Sequence, residues 1–301
     1  MQTSEMTAKI AQGNGFIAAL DQSGGSTPKA LKGYGVEDDA WTTDEEMFGL
    51  IHDMRARIIL SPAFTGDKVI GAILFERTMD GEAGGVPVPQ ALADKGVVPF
   101  LKIDKGLEDE ANGVQLMKPM PDLDTLLARA AKLGIFGTKE RSVVNLANEA
   151  GIAAIVAQQF EIADQVLSHG LMPIIEPEVN IKSAERADAD AILLKELVKA
   201  LDAMTGDDKV MLKLSLPEKA GLFQPLVDHP RVLRVVALSG GFARTEACVE
   251  LAKNPGIIAS FSRALLSDLR ASMSAAEFDE SLGAAIDEIH CASTEKTPVA
   301  A

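Results

Sequence analysis

The sequence predicts a single-domain (β/α)8 barrel. Eight short apolar runs recur along the 301 residues, most of them separated by stretches with helical periodicity. Eight strand–helix units in a chain of this size match a closed parallel barrel, with a doubly wound open sheet as the rival architecture. Hydrophobic residues make up 47% of the chain and aromatics only 4%. The core is therefore aliphatic, as expected for Val-, Ile- and Leu-rich strands covered on both faces. No linker, composition shift or fixed-period repeat divides the chain. Residues 1–293 are read as one domain and 294–301 as a disordered tail.

Taken in order, residues 1–14 read as a short polar helix, and GFIAALD (15–21) as the first strand, closed by Asp21 and a turn-rich QSGGSTPK. An amphipathic helix covers about 45–60, and VIGAILFE (69–76) is the second strand. A Gly- and Pro-rich loop spans 77–90 before the third strand, VVPFLKIDKG (97–106). Helix LDTLLARAAKLG (123–134) leads to the fourth and least apolar strand, FGTKERSV (136–143). An Ala-rich helix over about 143–169 precedes strand five, LMPIIEPEV (171–179). Helix 187–204 precedes strand six (209–216), and a short helix, LFQPLVDH, precedes strand seven, RVLRVVALSGG (231–241). Helix 244–254, strand GIIASFS (256–262), helix RALLSDLR and an amphipathic helix over 275–293 complete the pattern.

Net charge is −15, from 29 basic and 44 acidic residues. Such a surface argues against sequence-independent binding to nucleic acid or to an anionic membrane. Cys248 and Cys291 form no disulfide framework and fit a reducing compartment. The four histidines lie far apart without ligand spacing, so no metal site is expected. The N-terminus lacks the basic start and apolar core of a signal peptide, and no apolar run is long enough to cross a bilayer.

Chemistry concentrates at the carboxyl ends of the strands. Strand one ends in Asp21, strand three carries Lys102 and Asp104, strand four Lys139 and Arg141, strand five Glu176 and Glu178, and strand six Lys213. Three of these are charged pairs at i, i+2, so both members face one side of their strand. In strand six the aliphatic set Val210, Leu212, Leu214 and Leu216 alternates with Met211, Lys213 and Ser215. Lys213 therefore points away from the helices, into the space that the sheet encloses. A lone lysine there is more often an edge-strand guard, but a central strand of a closed sheet has no edge. Five cations (Lys102, Lys139, Arg141, Lys213, Arg263) meet four anions (Asp21, Asp104, Glu176, Glu178), the near-balance that burial demands. Ser239-Gly240-Gly241 before a helix is a candidate phosphate cradle, with Arg263 as a clamp. Ser23 and Ser26 offer a second anion site. Two anion sites flanking a lysine point to a bisphosphorylated substrate.

The runs GNGFIAALDQSGGS, VIGAILFE, LKIDKG, TKER, PIIEPEV, LSGG and FSRAL, in that order, resemble the class I fructose-bisphosphate aldolases, over about residues 12–270. The resemblance implies a barrel, Schiff-base chemistry with neither metal nor other cofactor, a small sugar bisphosphate as substrate, and a cytoplasmic homo-oligomer, dimer or tetramer. It implies Lys213 as the Schiff-base lysine, Glu176 as the acid/base for water loss, Glu178 as its electrostatic partner and Asp21 as acceptor of the C4 hydroxyl proton. Lys139 would sit beside the nucleophile. Lys102 and Arg141 would orient and bind, with Asp104 balancing the charge. Ser239, Gly240, Gly241 and Arg263 would hold the phosphate on the ketone side, and Ser23, Ser26 and Lys102 the far phosphate. The chain departs from the animal pattern: Tyr34 is its only tyrosine, Ala30 stands where an arginine is found, and Glu140 replaces an aromatic. The departures suggest a bacterial-type subgroup. Another ketose phosphate, such as tagatose bisphosphate, or a non-catalytic binding barrel are the alternative readings.

Overall fold

The computed structural model describes residues 1–297. The eight expected strands form one parallel sheet: β1 (Phe16–Leu20), β2 (Val69–Leu74), β3 (Val98–Lys102), β4 (Gly137–Val144), β5 (Met172–Val179), β6 (Val210–Ser215), β7 (Val232–Leu238) and β8 (Ile258–Ala259). Each pairs with the next in chain order. The seam between β8 and β1 is nearly closed, held by Ala19 N donating to Phe261 O at 3.0 Å. The architecture is a (β/α)8 barrel in a single domain, which settles the choice against an open sheet.

Strand alternation divides the apolar residues into two cores. Val210, Leu212, Leu214 and Leu216 pack outward into the large cluster between sheet and helices. Met211 joins a second cluster with Ile17, Phe100, Ile174 and Val236, which fills the barrel itself. The N-terminal helix, Thr3–Gln12, adds Met6 and Ile10 to that inner cluster. Arg234, near the start of β7, fixes it by donating to Ala11 O (2.7 Å) and Gly13 O (3.2 Å). One end of the barrel is thereby plugged with apolar atoms, and the polar ends of the strands face the other.

Several short elements were not expected. Helix Ser26–Gly33 occupies the segment read as a turn, because Pro28 lies in its first turn, where a missing N–H costs nothing. Within the loop read over 77–90, a two-stranded hairpin pairs Glu82–Ala83 with Val86–Pro87 across Gly84 and Gly85, both at positive φ. Helix Val88–Asp94 follows, with a proline at its start. Val114–Gln115 adds a short antiparallel pairing to the end of β4. Of the tail expected over 294–301, Thr294 is the last residue of helix Ala275–Thr294. Lys296 Nζ donates to Leu251 O, Ile257 O and Ala292 O, so this stretch is anchored; the remaining four residues lie outside those described. No helix among the described residues is long and apolar enough to cross a membrane.

Candidate active site

The charged strand ends converge, and Lys139 is at their centre. It is 3% exposed, and its Nζ lies 2.7 Å from Asp21 Oδ2, 2.9 Å from Glu176 Oε2 and 4.0 Å from Asp104 Oδ2. Burial opposes its charge, but Asp21, Glu176 and Asp104 outweigh that and hold its pKa above the ordinary lysine range. Asp21 responds in the same way. Burial alone would raise its carboxyl, while Lys139 and then Lys213 pull it well below the usual range. Asp21 is therefore a carboxylate at neutral pH.

Lys213 is also 3% exposed, and its Nζ lies 3.1 Å from Glu176 Oε1. One carboxylate thus separates two lysines, with an oxygen toward each. The approach of Lys139 to Glu176 Oε2 is an ionic contact rather than an aligned hydrogen bond, so that oxygen keeps free acceptor capacity. The placement follows from register. Arg141 pairs with Glu176 across β4 and β5, and Ile175 with Leu212 across β5 and β6, so Glu176 and Lys213 are the next neighbours toward the mouth.

The flanks are similarly paired. Lys102 Nζ donates to Asp104 Oδ1 (2.6 Å) and to Asp104 O (2.8 Å); burial lowers its pKa and Asp104 partly restores it. Asp104 also accepts from the Arg141 main-chain N at 3.3 Å, joining the ends of β3 and β4. Arg141 Nη1 donates to Glu178 Oε2 at 2.7 Å. Glu178 therefore belongs to the Arg141 pair, one step outward from Glu176.

The two candidate anion sites differ in form. Ser239 O accepts from Phe242 N at 2.9 Å, closing a turn in which Gly240 and Gly241 both have positive φ. A Cβ on Gly240 would meet Ile181 Cγ2 at 2.7 Å, and one on Gly241 would lie 3.6 Å from Arg263 Nη2. The bare backbone and the exposed guanidinium of Arg263 are thus side by side. In the loop after β1, Ser26 Oγ is committed to its own turn, accepting from Ser23 N (3.0 Å) and donating to Ser23 O (2.8 Å). Ser26 shapes the loop in this structure, while half-buried Ser23 stays beside Asp21.

Three residues at the site escaped the sequence reading. Gln22, next to Asp21, is 7% exposed and donates from Nε2 to Ser262 Oγ at 2.6 Å. Arg55 is wholly buried and contacts Gln22. Only the adjacency of Gln22 to Asp21 and of Ser262 to Arg263 could have flagged the first two. Arg55 looked like one of several basic residues on an amphipathic helix. Tyr34 lies elsewhere: its hydroxyl accepts from Arg57 Nη1 at 3.0 Å, and its ring meets Phe278 edge-on.

The family model for class-I fructose-bisphosphate aldolase, the glycolytic enzyme, matches residues 3–219. Among solved structures, a fructose-bisphosphate aldolase from Plasmodium falciparum superposes with a TM-score of 0.78 at 20% identity, covering 98% of this chain and 96% of that one. It was solved in complex with TRAP and a small-molecule inhibitor. Cgl0159 from Corynebacterium glutamicum gives a TM-score of 0.54 at 14% identity, over 97% and 92% of the two chains.

Proposed function

The chain belongs to the class-I fructose-bisphosphate aldolase family, and on that premise we propose that it cleaves fructose 1,6-bisphosphate reversibly through a Schiff base on Lys213. The products are dihydroxyacetone phosphate and glyceraldehyde 3-phosphate. The observation that carries this reading is the contiguous line Lys213–Glu176–Lys139–Asp21, each link 3.1 Å or less and each member almost wholly buried. It supplies a nucleophile, a proton shuttle, a fixed cation and a second base in one water-poor site.

The steps follow from those positions. Lys213, after passing a proton to Glu176, attacks the C2 ketone; Glu176 returns protons to the leaving oxygen, and water departs from the carbinolamine. The resulting iminium draws electron density from C3. Asp21, held ionised by Lys139, takes the proton of the C4 hydroxyl as the C3–C4 bond breaks. The electron pair of that bond becomes the enamine, and the aldehyde product leaves. Protonation at C3 and hydrolysis of the iminium then release the ketone product and free Lys213. Fixed charge costs no reorganisation during these steps, and that is the contribution of Lys139 and Arg141.

The phosphate on the ketone side is assigned to Ser239, Gly240, Gly241 and Arg263, because a glycine nest beside an exposed guanidinium fits a dianion. Ser23 and Lys102 are assigned to the far phosphate, with Ser26 holding their loop in shape. The same reading makes the protein a cytoplasmic homo-oligomer serving glycolysis and gluconeogenesis.

Reduction with borohydride in the presence of dihydroxyacetone phosphate tests the proposal. A covalent adduct mapped to the peptide bearing Lys213, and its absence in Lys213→Met, are expected. An active enzyme without that adduct, or with full activity in Lys213→Met, would overturn it. The ratio of kcat/KM for fructose and tagatose bisphosphates tests the choice of sugar.

A further inference from the structure

Among the described residues, Arg55, in helix Asp44–Leu60, is the largest side chain with no exposed surface. Its Nη1 donates to Thr78 Oγ1 at 2.8 Å. Its Nη2 donates to the Gln22 main-chain O at 2.5 Å and to Gln22 Oε1 at 3.1 Å. The Phe75 ring lies 5.8 Å from the guanidinium, and Nε has no partner. Every acceptor is neutral. A buried guanidinium without a carboxylate in contact is costly, by several kcal/mol on general grounds. Burial pushes its pKa down to about 10, opposed by the charge of Asp21, so it remains a cation at neutral pH. A group kept at such expense needs a task, and its bonds indicate one.

Arginine has donors only, so the Gln22 atom that faces it must be the amide oxygen. The amide nitrogen is thereby turned the other way, where it donates to Ser262 Oγ at 2.6 Å and to Ala19 O at 3.3 Å. Ser262 directly precedes Arg263, and Gln22 directly follows Asp21. A line of bonds therefore runs from the outer helix through Arg55 and Gln22 to Ser262. It crosses the seam between β1 and β8, where the single backbone bond from Ala19 to Phe261 does the rest of the closing.

We propose that Arg55 and Gln22 are positioning residues that lock the segment bearing Arg263 against the segment bearing Asp21, and so fix the ketone-side phosphate site relative to the catalytic base. The inference rests on the aldolase reading above. Gln22 is the latch and Arg55 orients it. Neither touches substrate. A short β8 of two residues gives this seam little ladder of its own, so the side-chain latch carries the registration that longer strands supply elsewhere.

Gln22→Met removes the latch while keeping chain length and burial. Two ketones serve as probes for borohydride trapping on Lys213: dihydroxyacetone phosphate and dihydroxyacetone. The expected result is about a tenfold higher half-saturating concentration of dihydroxyacetone phosphate, with trapping of the unphosphorylated ketone unchanged. KM for the bisphosphate rises in parallel. Gln22→Met combined with Ser262→Ala should be no worse than the more impaired single variant, because both break one bond. Arg55→Lys, which keeps the charge but loses the fork, should show the same selective loss in a milder form. Unchanged trapping of both ketones, with only a lower Tm, would reduce the pair to a structural role and overturn the inference. An equal loss with both ketones would also overturn it, since that marks general damage to the site. Failure of the unaltered protein to trap either ketone would instead count against the aldolase reading.

Discussion

Replacing Glu140 with glutamine should stabilise the folded chain, and by a margin that grows with pH. Glu140 lies between Lys139 and Arg141 on β4, so alternation turns it outward, beneath helix Glu149–Ser168. It has no exposed surface. Its Oε2 accepts only a long bond from Thr138 Oγ1, at 3.4 Å, and its Oε1 has no partner. Burial first, and then the Asp104 charge, raise its pKa well above the ordinary 4.5, while Lys139 opposes them. The folded protein therefore keeps a proton that the unfolded chain releases above about pH 4.5. The sign follows from linkage: the folded state binds more protons, so stability falls as pH rises between the unfolded and folded pKa values. The slope is about 1.4 kcal/mol per pH unit. Glutamine has no proton to lose, is nearly isosteric and still accepts from Thr138. With an unfolding entropy of about 2 cal/mol/K per residue, the Tm difference between variant and parent should grow by about 2 °C for each pH unit above 5. Other titrations are common to both proteins and cancel in the difference. Thermal unfolding of the two chains between pH 5 and 8 measures it, and the pH where the difference levels off marks the folded pKa of Glu140. A difference independent of pH would refute the reasoning, since it would mean that the carboxylate is ionised inside the fold.

Other outcomes follow from the same geometry. On the proposed mechanism, Asp21→Asn removes the proton acceptor of carbon–carbon cleavage and should lower kcat by about 10²- to 10⁴-fold, while Lys213 still forms the reducible adduct with dihydroxyacetone phosphate. Loss of the adduct together with turnover would assign Asp21 to an earlier step. Lys213→Met should abolish both, and residual turnover above background would show that another group carries the chemistry. Asp190 accepts from Glu218 N at 3.0 Å, and burial pushes its pKa up to about 6. Because that folded value exceeds the unfolded one, its cost to stability accumulates between about pH 4 and 6 and is constant above. Asp190→Asn should therefore gain Tm relative to the parent across that interval and no further at higher pH, in contrast to the continuing rise expected for Glu140→Gln.

Much of the site was legible because strand parity is a local property. The alternation in 209–216 is enough to send Lys213 inward and Leu212 and Leu214 outward, and the structure divides them in that way. The i, i+2 pairs at 102/104, 139/141 and 176/178 are likewise brought to one mouth. What parity does not contain is partnership. Glu178 reads as an ally of Glu176, yet its contact is Arg141. Ser26 reads as a phosphate ligand, yet its hydroxyl closes its own turn. The helix at Ser26–Gly33 was hidden because glycines and Pro28 signal a turn when read one by one, and a helix start when they come in that order.

The sequence by itself determined the number of barrel strands and the side on which each charged residue of the site stands. Each of these depends on the geometry of one strand and on near-neighbour spacing. Only the tertiary structure decided that Lys139 stands between Asp21 and Glu176, that Glu140 is sealed without an ion-pair partner, and that Arg55 reaches Gln22 from a helix behind the barrel wall. Those facts depend on the stagger between strands and on the closure of β8 against β1. Both are set by how the whole sheet packs, which no single stretch of the chain encodes.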